Sequence, residues 1–153
     1  VEPPPAEPPP AEPPPAEPAP AVVAPGASVE VADPATSAAA LSVTLEQAVA
    51  AVSCADSSVV AGNGTLVAVR ITVTTGADLA VLGGERSISP ADFRLVADDG
   101  SVATGSSPAG FCDTGAAAFP GAPLAPSSSV TGTVVLDVPA QSGTVVFRPA
   151  WLP

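Results

Sequence analysis

The stretch Ser129–Pro139, SVTGTVVLDVP, decides the fold. Val130, Val134, Leu136 and Val138 fall on one face of an extended chain, with Thr131, Thr133 and Asp137 on the other. That alternation predicts a half-buried β-strand. Pro139 cannot donate to a sheet ladder and ends the strand, while the PLAPSSS run that leads into it consists of turn formers. Asp137, the one charge in the stretch, reads as solvated on the outer face or paired across the sheet with Arg148 or Arg70. A surface pair of that kind contributes about 0–1 kcal/mol.

Working outward, the neighbouring segments repeat the same period. Thr65–Thr75, TLVAVRITVTT, sets Val67, Val69, Ile71 and Val73 against Ala68, Arg70, Thr72 and Thr74, and is entered from the Gly62-Asn63-Gly64 turn. Asn63-Gly64-Thr65 also spells a glycosylation sequon, read here as chance. Shorter alternations predict strands at Ser28–Val31 and Leu41–Leu45, separated by the Asp33-Pro34 turn signal. Leu45–Val52 is also compatible with one or two turns of helix capped by Thr44. Leu79–Leu82 is expected to form a short edge strand. Ala91–Ala97 should carry Phe93 and Leu95 inward and turn at Asp98-Asp99-Gly100 into a return strand over Ser101–Thr104. Residues 105–129 form a long crossing loop. Thr144–Arg148 follows Gln141-Ser142-Gly143 closely enough to suggest a hairpin with the Ser129–Pro139 strand, and Trp151 should fold back as a plug at one end of the core.

Composition agrees with sheets. The apolar residues are mostly Ala and Val, with four Phe, one Trp and no Tyr or Met, so the core must be built from small β-branched side chains. About seven short strands with turns at roughly ten-residue spacing and no strong helix predict an all-β, immunoglobulin-like antiparallel β-sandwich over residues 26–153. Residues 1–25 are different. They repeat AEPPP, which supplies neither helix nor sheet, and predict a polyproline-II stalk with an extended reach on the order of 80 Å. A spacer fits better than a ligand for proline-binding modules, because such ligands usually carry a basic anchor that is missing here.

The 153 residues hold fifteen acids, four arginines, no lysine and no histidine, for a net charge of −11. Glu2, Glu7, Glu12 and Glu17 lie in the repeat, so the remainder is acidic too. Nucleic acid and anionic membrane surfaces, which need clustered cations, are excluded as partners. Without histidine or lysine, Ser-His-Asp, Cys-His, Ser-Lys and Schiff-base chemistries have no residues to run on. A carboxylate pair for glycoside cleavage would lack the aromatic platforms that usually hold a sugar. The expectation is a protein with no catalytic residues and no cofactor. Oxygen ligands for calcium exist in Asp92, Asp98, Asp99 and Asp113, but their spacing matches no loop motif and they read as solvated turn carboxylates, so no metal is assigned.

Cys54 and Cys112 are the two cysteines. An even count in a small Ser/Thr-rich β protein suggests one disulfide and an oxidising compartment, the alternative being two buried thiols. A bridge closing a loop of about 60 residues would contribute roughly 4 kcal/mol in the loop-entropy account. No apolar run of spanning length is present, so this segment is not expected to insert into a membrane. The chain starts at Val1, which reads as a processed or truncated protein whose upstream signal, lipid anchor or membrane helix is not recoverable from the sequence.

Three segments together carry a resemblance: Thr65–Thr75, SPADFRLVADDG at residues 89–100, and LAPSSSVTGTVVLDVPAQSGTVVFRP at residues 124–149. They resemble a family of bacterial secreted and lipid-anchored domains of unknown function with a telokin-like, immunoglobulin-like sandwich, a family that includes a secreted immunogenic antigen of mycobacteria. Phe93, Leu95, Asp99 and Gly100 match its hairpin, and Gly132, Val134, Asp137, Val138 and Pro139 its signature strand. Leu136 stands where Phe is usual, Pro126-Ser127 where Pro-Gly is, and Thr75-Gly76 where an Asn-x-Gly often follows the central strand. The resemblance implies a fold and an extracytoplasmic location, and brings no catalytic residues. The expected role is a non-catalytic binding module displayed on a proline-rich spacer at the cell envelope, with another envelope or membrane protein as partner. A permanently bound accessory subunit of an envelope complex is the second reading.

Overall fold

The computed structural model describes residues 25–104, 112–139 and 142–152. The predicted stalk and part of the crossing loop lie outside them. Seven strands are described: β1 (Ser28–Ala32), β2 (Ala39–Ala50), β3 (Thr65–Thr75), β4 (Phe93–Val96), β5 (Val102–Thr104), β6 (Ser129–Val138) and β7 (Thr144–Phe147). They form a four-stranded sheet in the order β1-β2-β3-β6 and a three-stranded sheet in the order β5-β4-β7, and every strand pair is antiparallel.

The core between the sheets follows from the alternation. Val67, Val69, Ile71 and Val73 of β3 and Val134, Leu136 and Val138 of β6 meet Phe93 and Leu95 of β4, with Leu41 and Val43 of β2 beside them. Leu41, Val69, Val73, Leu136 and Val138 are fully buried. Phe93 lies against Phe147 with ring centroids 5.3 Å apart. Trp151 closes one end as expected, its ring 6.3 Å from Phe147 in an edge contact and 5.8 Å from the Arg86 guanidinium. Arg86 is held there by hydrogen bonds to the carbonyls of Leu82 and Gly83.

Four expectations change. Leu45–Val52 has no helical turn, because β2 runs on to Ala50 paired with Val67–Arg70 of β3 and absorbs Glu46 as a bulge between Leu45 and Gln47. Helix propensity yields here to a long partner strand. Leu79–Leu82 is not an edge strand; Ala80–Leu82 forms a 3₁₀ turn that buries Leu82 and ends at Gly83 in the left-handed conformation. β6 and β7 are not hairpin partners. β6 pairs with β3, and its other edge is met by Ala117–Phe119 through Phe119 N–H to the Thr133 carbonyl and Thr133 N–H to the Ala117 carbonyl. With both edges taken, the chain leaves β6 at Pro139 and crosses to the second sheet, where Thr144–Phe147 pairs with β4. The fourth change concerns Asp137, which is not on a solvated face.

Candidate functional site

β6 is buried on both faces over its second half, since Val135 and Asp137 are covered as well as Val134 and Leu136. What covers the outer face is a third, irregular layer made of two segments, residues 51–64 and 112–119. Leu66, Val135 and Cys112 form a second apolar cluster beneath it, joined by the partly buried Val52, Cys54, Val59, Ala61 and Ala68. The Cys54–Cys112 disulfide joins the two segments, with Cα atoms 5.0 Å apart. One backbone bond runs alongside, from the Ala55 amide to the Asp113 carbonyl at 2.7 Å.

Asp137 anchors the first segment. Only 2% exposed, it accepts the Gly62 amide on Oδ2 at 2.8 Å and the Asn63 amide on Oδ1 at 3.0 Å. The Asn63 side-chain amide returns to the Asp137 carbonyl at 3.2 Å. A buried carboxylate is tolerated when its oxygens are bonded in this way. The expected solvation, or pairing with Arg70 or Arg148, is therefore replaced by a structural bond to a loop 74 residues away in sequence. The run Val134-Val135-Leu136 was the available signal, because an unbroken apolar run marks a strand covered on both faces.

The four candidate calcium ligands are not brought together. Asp92 accepts from the Ser89 amide and hydroxyl, Asp99 from those of Ser101, Asp113 from the Gly115 amide, and Asp98 from the Ser142 hydroxyl. Among the described residues no group of three His, Cys, Asp or Glu side chains is placed to share an ion. Asp33, Asp56 and Asp99, all in turns, hold their carboxyls below the ordinary carboxylate range. For Asp33 the bond from the Ala35 amide is the larger cause, and for Asp56 and Asp99 the hydroxyls of Ser58 and Ser101.

Between the sheets, Val29, Leu45, Phe93, Val145 and Phe147 line an apolar cavity of about 20 Å³. Sites for small molecules are commonly about 300–1,000 Å³, so this void is a packing gap with room for a water-sized body only. Larger recesses open on the cover. One of about 390 Å³ is lined by Val52, Cys54, Val59 and Leu66, and another of about 270 Å³ by Cys112, Thr114, Thr133 and Val135. Both cysteines of the disulfide thus border open recesses, Cys54 one and Cys112 two.

No protein-family model matches the sequence, and no curated protein does. Among solved structures the chain is similar to MPT63, a secreted protein from Mycobacterium tuberculosis, with a TM-score of 0.52 and 16% identity, over 82% of this chain and 86% of that one. The chain has the MPT63 fold. The immunoglobulin-like sandwich expected from residues 65–149 is thus the observed architecture, and MPT63, at this identity, contributes its fold and no residue roles. Among the described residues no helix is long and apolar enough to cross a membrane.

Proposed function

We propose that the protein is a non-catalytic extracytoplasmic binding module, carried on its proline-rich segment as a spacer at the cell envelope. The observation that carries the reading is the Cys54–Cys112 disulfide in a domain with the fold of a secreted protein. Disulfides of this kind persist in oxidising compartments. The AEPPP repeat supports the spacer, and the hydrogen-bonded commitments of Asp92, Asp99, Asp113 and Asp137 leave these acids to structural work. Recognition on such a sandwich falls to its loops and edges, and the partner class proposed is another envelope or membrane protein.

The test has two arms. A reporter active only outside the cytoplasm, fused after Pro153 of the protein expressed from its natural start, should be active in its own cell. Immobilised full chain should then retain a discrete envelope protein that an unrelated sandwich does not. An inactive reporter overturns the location, and retention no different from the unrelated sandwich overturns the binding role. The accessory-subunit reading would require one broad apolar patch. The exposed large apolar side chains among the described residues are four valines, Val49, Val60, Val81 and Val102.

A further inference from the structure

We infer that the Cys54–Cys112 disulfide is a latch on the outer layer rather than a staple of the sandwich, so that its reduction opens one part of the cover and bares an apolar strip on a sheet that stays folded. The argument rests on how each segment of the cover is held. Residues 51–64 are fixed at both ends without the disulfide: the Val52 amide bonds the Leu66 carbonyl at 3.1 Å, and Gly62 and Asn63 bond Asp137. The second segment is fixed at its far end, where Ala117 and Phe119 bond Thr133. Over Cys112–Ala116 its covalent and hydrogen-bonded ties to the rest of the described protein are the disulfide and the single Ala55–Asp113 bond, beside the packing of Cys112 on Leu66 and Val135.

The sandwich core does not depend on this stretch. The core cluster between the sheets contains neither cysteine, and Leu66, Cys112 and Val135 form a cluster of their own on the opposite face. Losing Cys112–Ala116 therefore removes cover from Leu66 and Val135, now 6% and 5% exposed, while leaving the β2-β3-β6 ladder and the inner face untouched.

The chemistry is ordinary exchange with an external dithiol. A dithiol thiolate attacks Sγ of Cys54, the half-buried partner beside the larger recess, and the Sγ–Sγ bond breaks. Cys112 leaves as a thiolate and is protonated. The second thiol of the reagent then attacks the mixed disulfide and frees Cys54, so the protein gains two electrons and two protons and the dithiol becomes its cyclic disulfide.

Amide hydrogen exchange of the full chain, with and without dithiothreitol, reads the outcome, and alkylation of both cysteines establishes that reduction is complete. After reduction the Ala55 amide should exchange at least about 100-fold faster and lose nearly all its protection, while Val69, Ile71 and Leu136, although speeded by the lost loop constraint, should stay protected at least about 100-fold more than Ala55. An apolar dye such as anilinonaphthalene sulfonate should bind the reduced form more strongly. Strand amides that lose their protection together with Ala55 would show a staple and overturn the latch; so would an Ala55 amide unchanged in fully alkylated protein. The double variant C54S/C112S gives the same comparison without reagent, and a variant that fails to fold counts against the latch.

Discussion

Asn63 donates twice to Asp137, from its backbone amide to the carboxylate and from its side chain to the carbonyl. The pair ties the turn that opens β3 to the end of β6, and the Gly62 amide completes the set. Asp137→Asn keeps one carboxylate-like oxygen and turns an NH₂ toward a donor. A stability loss of about 1–3 kcal/mol is expected, and Asp137→Ala should cost more, because two buried amides lose their acceptor. Urea midpoints of the two variants check this, and a neutral result for Asp137→Ala would return the residue to the solvated role read from sequence.

Gly132 has a different reason to be there. A Cβ at this position would run into the backbone of Ala118 and Phe119, which cross β6 at that point. Gly132→Ala should push the Ala117–Phe119 segment off β6 and cost about 2 kcal/mol or more, as overpacked positions do. Loss of amide protection at Phe119, with that of Val69 kept, would locate the damage.

Buried and exposed apolar positions should respond unequally to truncation. Leu136 is fully buried between the sheets, so Leu136→Ala is expected to cost about 2–5 kcal/mol. Val49→Ala, at a side chain 42% exposed, should stay within about 0.5 kcal/mol. Thermal unfolding of both variants, compared at one pH, tests the ranking.

Acid should weaken three turns. Asp33, Asp56 and Asp99 have folded values below the ordinary carboxylate range. Their contribution to stability is thus present above the ordinary value of about 3.9 and is lost as pH falls through the lowered folded values. Stability followed from pH 7 downward should hold to about pH 4 and then decline. NMR titration of these three carboxyls should show midpoints below that of a free aspartate, and ordinary midpoints would remove the effect.

How much of this was legible before the structure depends on which property of a strand is asked for. β3 and the apolar face of β6 were readable because alternation is a local record of burial. Sheet membership was not: β6 and β7 lie close in sequence, and only the occupation of both β6 edges, by β3 and by Ala117–Phe119, shows why they part. Glu46 hid the length of β2, because a bulge shifts the alternation by one residue and imitates a loss of pattern. Asp137 was misread for a related reason. Its face looked polar from Thr131 and Thr133, while the cover that buries it comes from segments 51–64 and 112–119, far away in the chain. The disulfide was readable from a count, but the layer it holds was not.

The entry of the chain into the sandwich has a mechanical side. Pro25-Gly26 leads into β1, an edge strand of five residues whose ladder is to β2, with Gly26 bonded to the Leu45 carbonyl. Tension arriving along the preceding segment is therefore carried first by that short ladder. If it peels, β2 becomes the new rim and the core loses Val29 and Val31 but keeps β3, β6 and the whole second sheet. Under the proposed spacer role, β1 is the strand that a pull from that side would load first.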